Sequence, residues 1–173
     1  MRRILASLIF LSGALYVSHP AAVAQEPQKP GKEHAALMAM EGVWDAAVKS
    51  ADGGESKGVA EYKMVCEGMW LSSSFVGEIG GQKFSGHGMD GYDPVQKQYT
   101  GVWVDSMSAT PLILTGTKDA SGKVLTMKGE GGGMKYKAVT TEVSRDKQLF
   151  TMSFVMPEGD VELMTITYTR RKK

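Results

Sequence analysis

From Gly42 to the C-terminus the chain is cut into short runs of period-two alternation, most of them ending in Gly, Asp or Pro. Side chains two apart in an extended chain share a face, so each run reads as a strand with one buried and one solvated side. The punctuation is SADGGES, CEG, IGGQ, YDPVQ, KDASGK, GEGGG, SRDK and MPEGD, with a further break near SATP. These breaks predict ten strands, near residues 43–49, 58–66, 69–79, 82–92, 97–107, 112–118, 123–130, 133–145, 148–156 and 161–170. Ten strands joined by tight turns leave a sandwich or a barrel. Short connections throughout favour a meander, and closing a meander removes exposed strand edges. The expected fold is therefore all-β, an up-and-down antiparallel β-barrel. Ahead of it, EHAALMAMEG places Leu37, Met38 and Met40 at helical spacing, with Gly42 to stop the turn. A short N-terminal helix should close one end of the barrel, with His34 capping or packing near its mouth.

One stretch, SGHGMDGYD, contains Gly86-x-Gly88-x-x-Gly91, the bare pattern of a dinucleotide-binding loop. That motif works only where a helix starts at the glycines and aims its amides at a pyrophosphate. Here Asp93-Pro94 follows, a turn signal, and no βαβ unit surrounds it. Read as a strand, Phe84, Gly86, Gly88, Asp90 and Tyr92 share one face, and Ser85, His87, Met89 and Gly91 the other. Glycine inside a strand marks a sharp bend or a close approach to the backbone, and a small barrel needs bends. We expect the run to be a barrel corner.

The first 24 residues pair Arg2 and Arg3 with an apolar core and an Ala22-Val23-Ala24 site, the pattern of a cleaved secretory signal. The apolar run falls short of the roughly 20 residues a membrane span needs, so no membrane insertion is expected after cleavage. Residues 25–32, QEPQKPGK, read as a flexible leader, and 33–173 as the domain. The expected location is export, to periplasm or medium. Whole-chain charge is +1, and cleavage removes two arginines and no acid. A near-neutral chain carries no electrostatic footprint for nucleic acid. Cys66 is the single cysteine, so no internal disulfide can form, and its apolar context predicts a buried, inert thiol.

Several segments carry a family resemblance. PGKEHAALMAMEGVWD sets a histidine and a leucine before Gly42-x-Trp44, close to the G-x-W that opens the lipocalins and the wider calycin group. GHGMDGYDPVQKQYTGVWVDSMS and the closing EGDVELMTITYTRRK resemble a bacterial family of exported proteins within that group, catalogued as a domain of unknown function. The resemblance spans roughly residues 30–172. It implies a calycin-like, lipocalin-like β-barrel and no particular activity. In such a closed barrel Trp44 on the first strand and Arg170 on the last become neighbours. A guanidinium over an indole gains roughly 0.5 to 2 kcal/mol, so the pair should act as a structural closure.

The chemistry-bearing residues are sparse. After the leader only His34 and His87 remain, too few and too scattered for the three or four ligands of a zinc site, so no metal is expected. The nitrobindin barrels of the calycin group hold haem through a histidine near the C-terminus. VELMTITYTRR has none, and no cofactor is expected. Ser72 to Ser74, His87 and Asp105 supply the types of a hydrolytic triad without any nucleophile elbow, and no catalytic residue is assigned. Eleven methionines follow the leader, suited either to line an irregular apolar pocket or to fill a core. We expect a small hydrophobic or amphipathic ligand held by Tyr92, Trp103, Asp105, Tyr136, Phe154 and His87, with Asp105 or a tyrosine orienting it. An enzyme acting through a His or Asp, and an interaction module with a filled core, remain the alternatives.

Overall fold

A computed structural model describes residues 28–172. The expected signal segment, 1–24, and the start of the leader lie outside the described residues. Helix α1 (Lys32–Met38) precedes ten strands: β1 (Gly42–Ser50), β2 (Glu55–Val65), β3 (Trp70–Ile79), β4 (Gln82–Asp93), β5 (Gln98–Asp105), β6 (Ser108–Lys118), β7 (Val124–Gly131), β8 (Met134–Ser144), β9 (Lys147–Met156) and β10 (Gly159–Arg170). Each strand pairs antiparallel with the next, and β1 pairs with β10, so the sheet closes on itself. Closure runs from Trp44 opposite Arg170 to Ser50 opposite Met164. The up-and-down barrel expected from the alternation is the fold.

Strand boundaries fall within four residues of expectation, and two of them have a visible physical reason. β6 begins at Ser108 rather than near 112, because the SATP segment stays extended. Pro111 is tolerated there since pairing with β7 starts only at Ile113, so no ladder partner on that side needs its missing N–H. β2 ends at Val65, and Cys66, Glu67 and Gly68 follow in the left-handed region with φ of 50°, 57° and 85°. That turn lifts Cys66 into solvent, correcting the expectation of a buried thiol.

The helix caps the end of the barrel where β1, β3, β5, β7 and β9 begin. His34 and Leu37 are its buried residues. The Gly31 N–H donates to His34 Nδ1 at 3.0 Å, and the His34 ring meets Tyr92 edge to face at 6.2 Å, so His34 both caps and packs. The Tyr99 hydroxyl donates to the Glu33 carbonyl at 3.4 Å. At the same end Arg170 lies 4.1 Å above the fully buried Trp44 indole. Its guanidinium also donates to the carbonyls of Ala39 and Glu41 beyond the helix and to Asp146 in the β8–β9 turn. Gly42, at φ 122°, makes the passage from helix to β1; a Cβ there would sit 3.1 Å from the Arg170 guanidinium.

The interior holds two separate buried clusters. One gathers Trp44, Val48, Phe75, Phe84, Ile166 and Tyr168 on the β1–β4 and β10 wall. The other gathers Leu37, Leu71, Tyr99, Leu114, Met127 and Ala138 under the helix and on the β5–β8 wall. Tyr62 and Phe150 touch both, and each keeps part of its surface accessible.

Candidate site inside the barrel

The glycine run of β4 explains one wall. Gly86 and Gly88 have no left-handed φ; what they provide is space. A Cβ on Gly86 would overlap the Trp103 six-membered ring, and one on Gly88 would lie 3.1 Å from it. Trp103, reaching across from β5, therefore lies flat on the β4 backbone and stacks on Phe84 at 6.5 Å and 14°. Gly91 does the same on the outer face, where a Cβ would come within 2.7 Å of the Trp70 ring. The glycines of this run provide a pair of seats for indoles, the close approach that glycine in a strand permits.

Asp105 fixes the Trp103 seat. Its Oδ2 accepts from Trp103 Nε1 at 3.0 Å, and its Oδ1 accepts from the Met107 N–H at 2.8 Å. With both oxygens engaged, Asp105 positions the indole. Tyr136 and Phe154 are register partners on β8 and β9, their rings 5.2 Å apart. Trp103, Tyr136 and Phe154 belong to the half of the barrel away from the helix, and all three are partly accessible. Tyr92 sits at the helix-capped end against Tyr99, 5.2 Å between rings.

His87 is the expected site residue that the fold places elsewhere. It is exposed, on the outer face of β4 with Ser85 and Met89. Tyr92 and His87 are an odd number of residues apart, so one strand cannot aim both inward. The methionines divide as well. Met127, Met152 and Met164 pack in the interior clusters. Met89 on the outer face, Met107 in the β5–β6 turn, and Met134 and Met156 at the rim away from the helix are exposed.

The residue that emerges is Asp90. It shares the inner face of β4 with Phe84 and Tyr92, opposite Leu71 of β3 and Gly101 of β5. Its carboxyl occupies the room that Gly101 leaves, where a Cβ would collide with Oδ1. Burial alone raises its pKa from 3.8 to about 7, with no hydrogen bond among the described residues pulling it back. Tyr62 stands beside it, its phenol pushed well above the usual range by burial, then by Tyr168 and Asp90. Tyr168, also desolvated, is raised to about 12, and the two tyrosine rings meet edge to face at 6.4 Å. The signal for Asp90 was its position two residues from Tyr92 on an aromatic face. Its neighbour Tyr62 comes from a strand that sequence separation hides.

Two concavities open outside this interior. One of about 860 Å³ crosses β6 to β8 at the Gly131–Gly133 rim, lined by Ile113, Lys128, Glu130, Lys135, Val155 and the edge of Tyr136. Another of about 310 Å³ lies beside Trp70, Tyr92 and Val95. Neither includes Asp90. Among the described residues no three of His, Cys, Asp and Glu converge as a metal group.

Among solved structures, the S-type phycobiliprotein lyase CPES from Guillardia theta is similar over 83% of this chain and 99% of its own, with 10% identity and a TM-score of 0.58. A redesigned β-barrel, mFAP1, bound to DFHBI is similar over 78% of this chain and 98% of its own, at 16% identity and a TM-score of 0.47. A de novo designed fluorescence-activating β-barrel aligns over 79% of this chain and 97% of its own, at 17% identity and a TM-score of 0.45. At these identities the likeness concerns the fold alone. Comparison with curated proteins returns no match. The family of proteins of unknown function DUF1579 matches residues 29–170, nearly the whole described chain, and the protein belongs to it.

Proposed function

We propose that this protein is an exported β-barrel that holds a small apolar or amphipathic molecule in its interior and does no chemistry on it. The observation that carries the reading is the divided core. Buried side chains usually gather into one contiguous cluster per domain, with smaller satellites. Here two clusters are joined through Tyr62 and Phe150, which stay partly accessible although they point inward. Trp103, Tyr136 and Phe154 add partly accessible aromatic surface at the end away from the helix, the lining expected of a pocket for a small ligand. Export rests on the leader, with its paired arginines, apolar core and Ala-x-Ala site.

The test is titration of the purified protein with N-phenyl-1-naphthylamine, together with native mass spectrometry of protein taken from producing cells. Saturable binding of one dye per chain, or a co-purified molecule of matching mass, supports the reading. A protein that binds no dye and carries no adduct overturns it.

A second reading has one observation behind it. A carboxyl that titrates near neutrality in a partly enclosed interior is suited to general acid–base work, and Asp90 is such a group. Turnover of nitrophenyl esters that Asp90→Asn abolishes while dye binding persists would move the assignment to an enzyme. His87, facing solvent, cannot supply the base.

A further inference from the structure

We propose that the interior site is built for a ligand with a cationic nitrogen head, a protonated amine or amidine, seated on Asp90 with its apolar part directed toward Trp103 and Phe154. The inference rests on the interior-site reading above and adds the charge and orientation of the ligand.

Three features of the inner wall carry it. The first is charge. Asp105 is consumed by the Trp103 Nε1–H and the Met107 N–H, and Arg170 is consumed by Trp44, Asp146 and the carbonyls of Ala39 and Glu41. Among the described residues, Asp90 is left as a carboxyl inside the barrel with no cation against it. A buried carboxyl without a partner is costly when ionised, and a ligand that brings the opposite charge removes that cost. An anionic ligand would add a like charge beside it.

The second is the surrounding chemistry. Tyr62 lies close enough to the carboxyl for its phenol to feel that charge, Tyr168 meets Tyr62 edge to face, and neither phenol ionises near neutral pH. Phe150 packs against both core clusters beside them. A carboxylate beside an aromatic ring offers an organic ammonium group charge pairing and cation–π attraction together. The third is the provision of space. Gly101 has no left-handed φ to justify it, yet any side chain there would strike Asp90 Oδ1. The fold keeps a bare backbone under this one carboxyl, beside the Met127 methyl at 3.4 Å from the same point.

The direction of the ligand follows from depth. Asp90 is three residues from the helix-capped end of β4, whereas Trp103 and Phe154 lie near the opposite ends of β5 and β9. A head on Asp90 leaves the tail to run toward the end without a helix.

The experiment is a displacement series. Octylamine, octanol and octanoate are each titrated against bound N-phenyl-1-naphthylamine at about pH 8, where Asp90 is largely ionised and the amine protonated. Octylamine should displace the dye about tenfold more tightly than octanol, with octanoate weakest, a gap of about 1.4 kcal/mol for each tenfold. Asp90→Asn should bring octylamine down to the octanol value measured on the same variant. Gly101→Ala, which pushes the carboxyl off its seat, should narrow the gap in the same direction. The wild-type series requires no variant to fold. Equal displacement by the three compounds, or octanoate binding best, overturns the cationic assignment while the dye still reports an interior site. A protein that takes no dye overturns the site itself, and this assignment with it.

Discussion

Asp90 ties fold to stability at the scale of one residue. The folded carboxyl holds its proton up to about pH 7, while an unfolded aspartate releases it near pH 4. Between those values the folded state binds the extra proton, so stability with respect to this group is greatest below about pH 4 and declines as pH rises from there through about 7. A carboxyl raised from 3.8 to about 7 sets an upper limit of about 4 kcal/mol, and the partial accessibility of the residue lowers the working figure to about 2 kcal/mol. Asp90→Asn should therefore melt about 5 °C higher than the native protein at pH 9 and at nearly the same temperature at pH 4. Calorimetry at the two pH values checks it, and an equal shift at both would show that ionised Asp90 is not penalised in the barrel. At this scale the sequence was partly legible. Alternation grouped Phe84, Asp90 and Tyr92 on one face of β4, but two glycines in that face erase the apolar contrast that tells inside from outside. That is why His87 was expected inside and stands outside.

At the scale of elements, β4 and β5 interlock through side-chain absence. Placing a methyl on Gly86 forces it into the Trp103 ring, and overpacking of this kind costs about 1 to 3 kcal/mol. Gly86→Ala should lower the urea midpoint and shift Trp103 fluorescence. In a Trp103→Leu background the same change should cost under about 1 kcal/mol, a coupling that a double-mutant cycle reads. Equal losses in both backgrounds would mean the glycine serves the strand itself. Strand positions were legible because turn residues and period-two alternation agree along nearly the whole chain. The starts of β6 and β2 were not, both strands beginning earlier than expected. An extended Pro111 looks like a break in one dimension, and Glu55 and Ser56 look like part of the turn although they extend opposite Lys49 and Val48.

At the scale of the whole molecule, one side chain joins the parts most distant in sequence. Arg170 stacks on Trp44 at 4.1 Å, bonds the carbonyls that leave the helix, and pairs with Asp146 at 3.1 Å. Arg170→Ala should destabilise the protein by about 2 kcal/mol, since it removes the cation–π contact over buried Trp44 together with charge-assisted hydrogen bonds to Ala39, Glu41 and Asp146. Arg170→Lys should recover less than half, because an ammonium cannot stack and fork at once. Denaturant titration measures both, and an Arg170→Ala protein as stable as the native one would deny the closure its structural part. This pairing was legible because a ten-stranded meander brings its first and last strands together. The interior between the two clusters was not, since composition does not separate methionines that fill from methionines that line. The structure does separate them, and the central claim can be tested on that division. With methionine methyls labelled by carbon-13, a saturating amount of N-phenyl-1-naphthylamine should shift Met127, Met152 and Met164 and leave Met89 and Met107 in place. Shifts confined to Met89 and Met107, or to none, would contradict a ligand held inside the barrel.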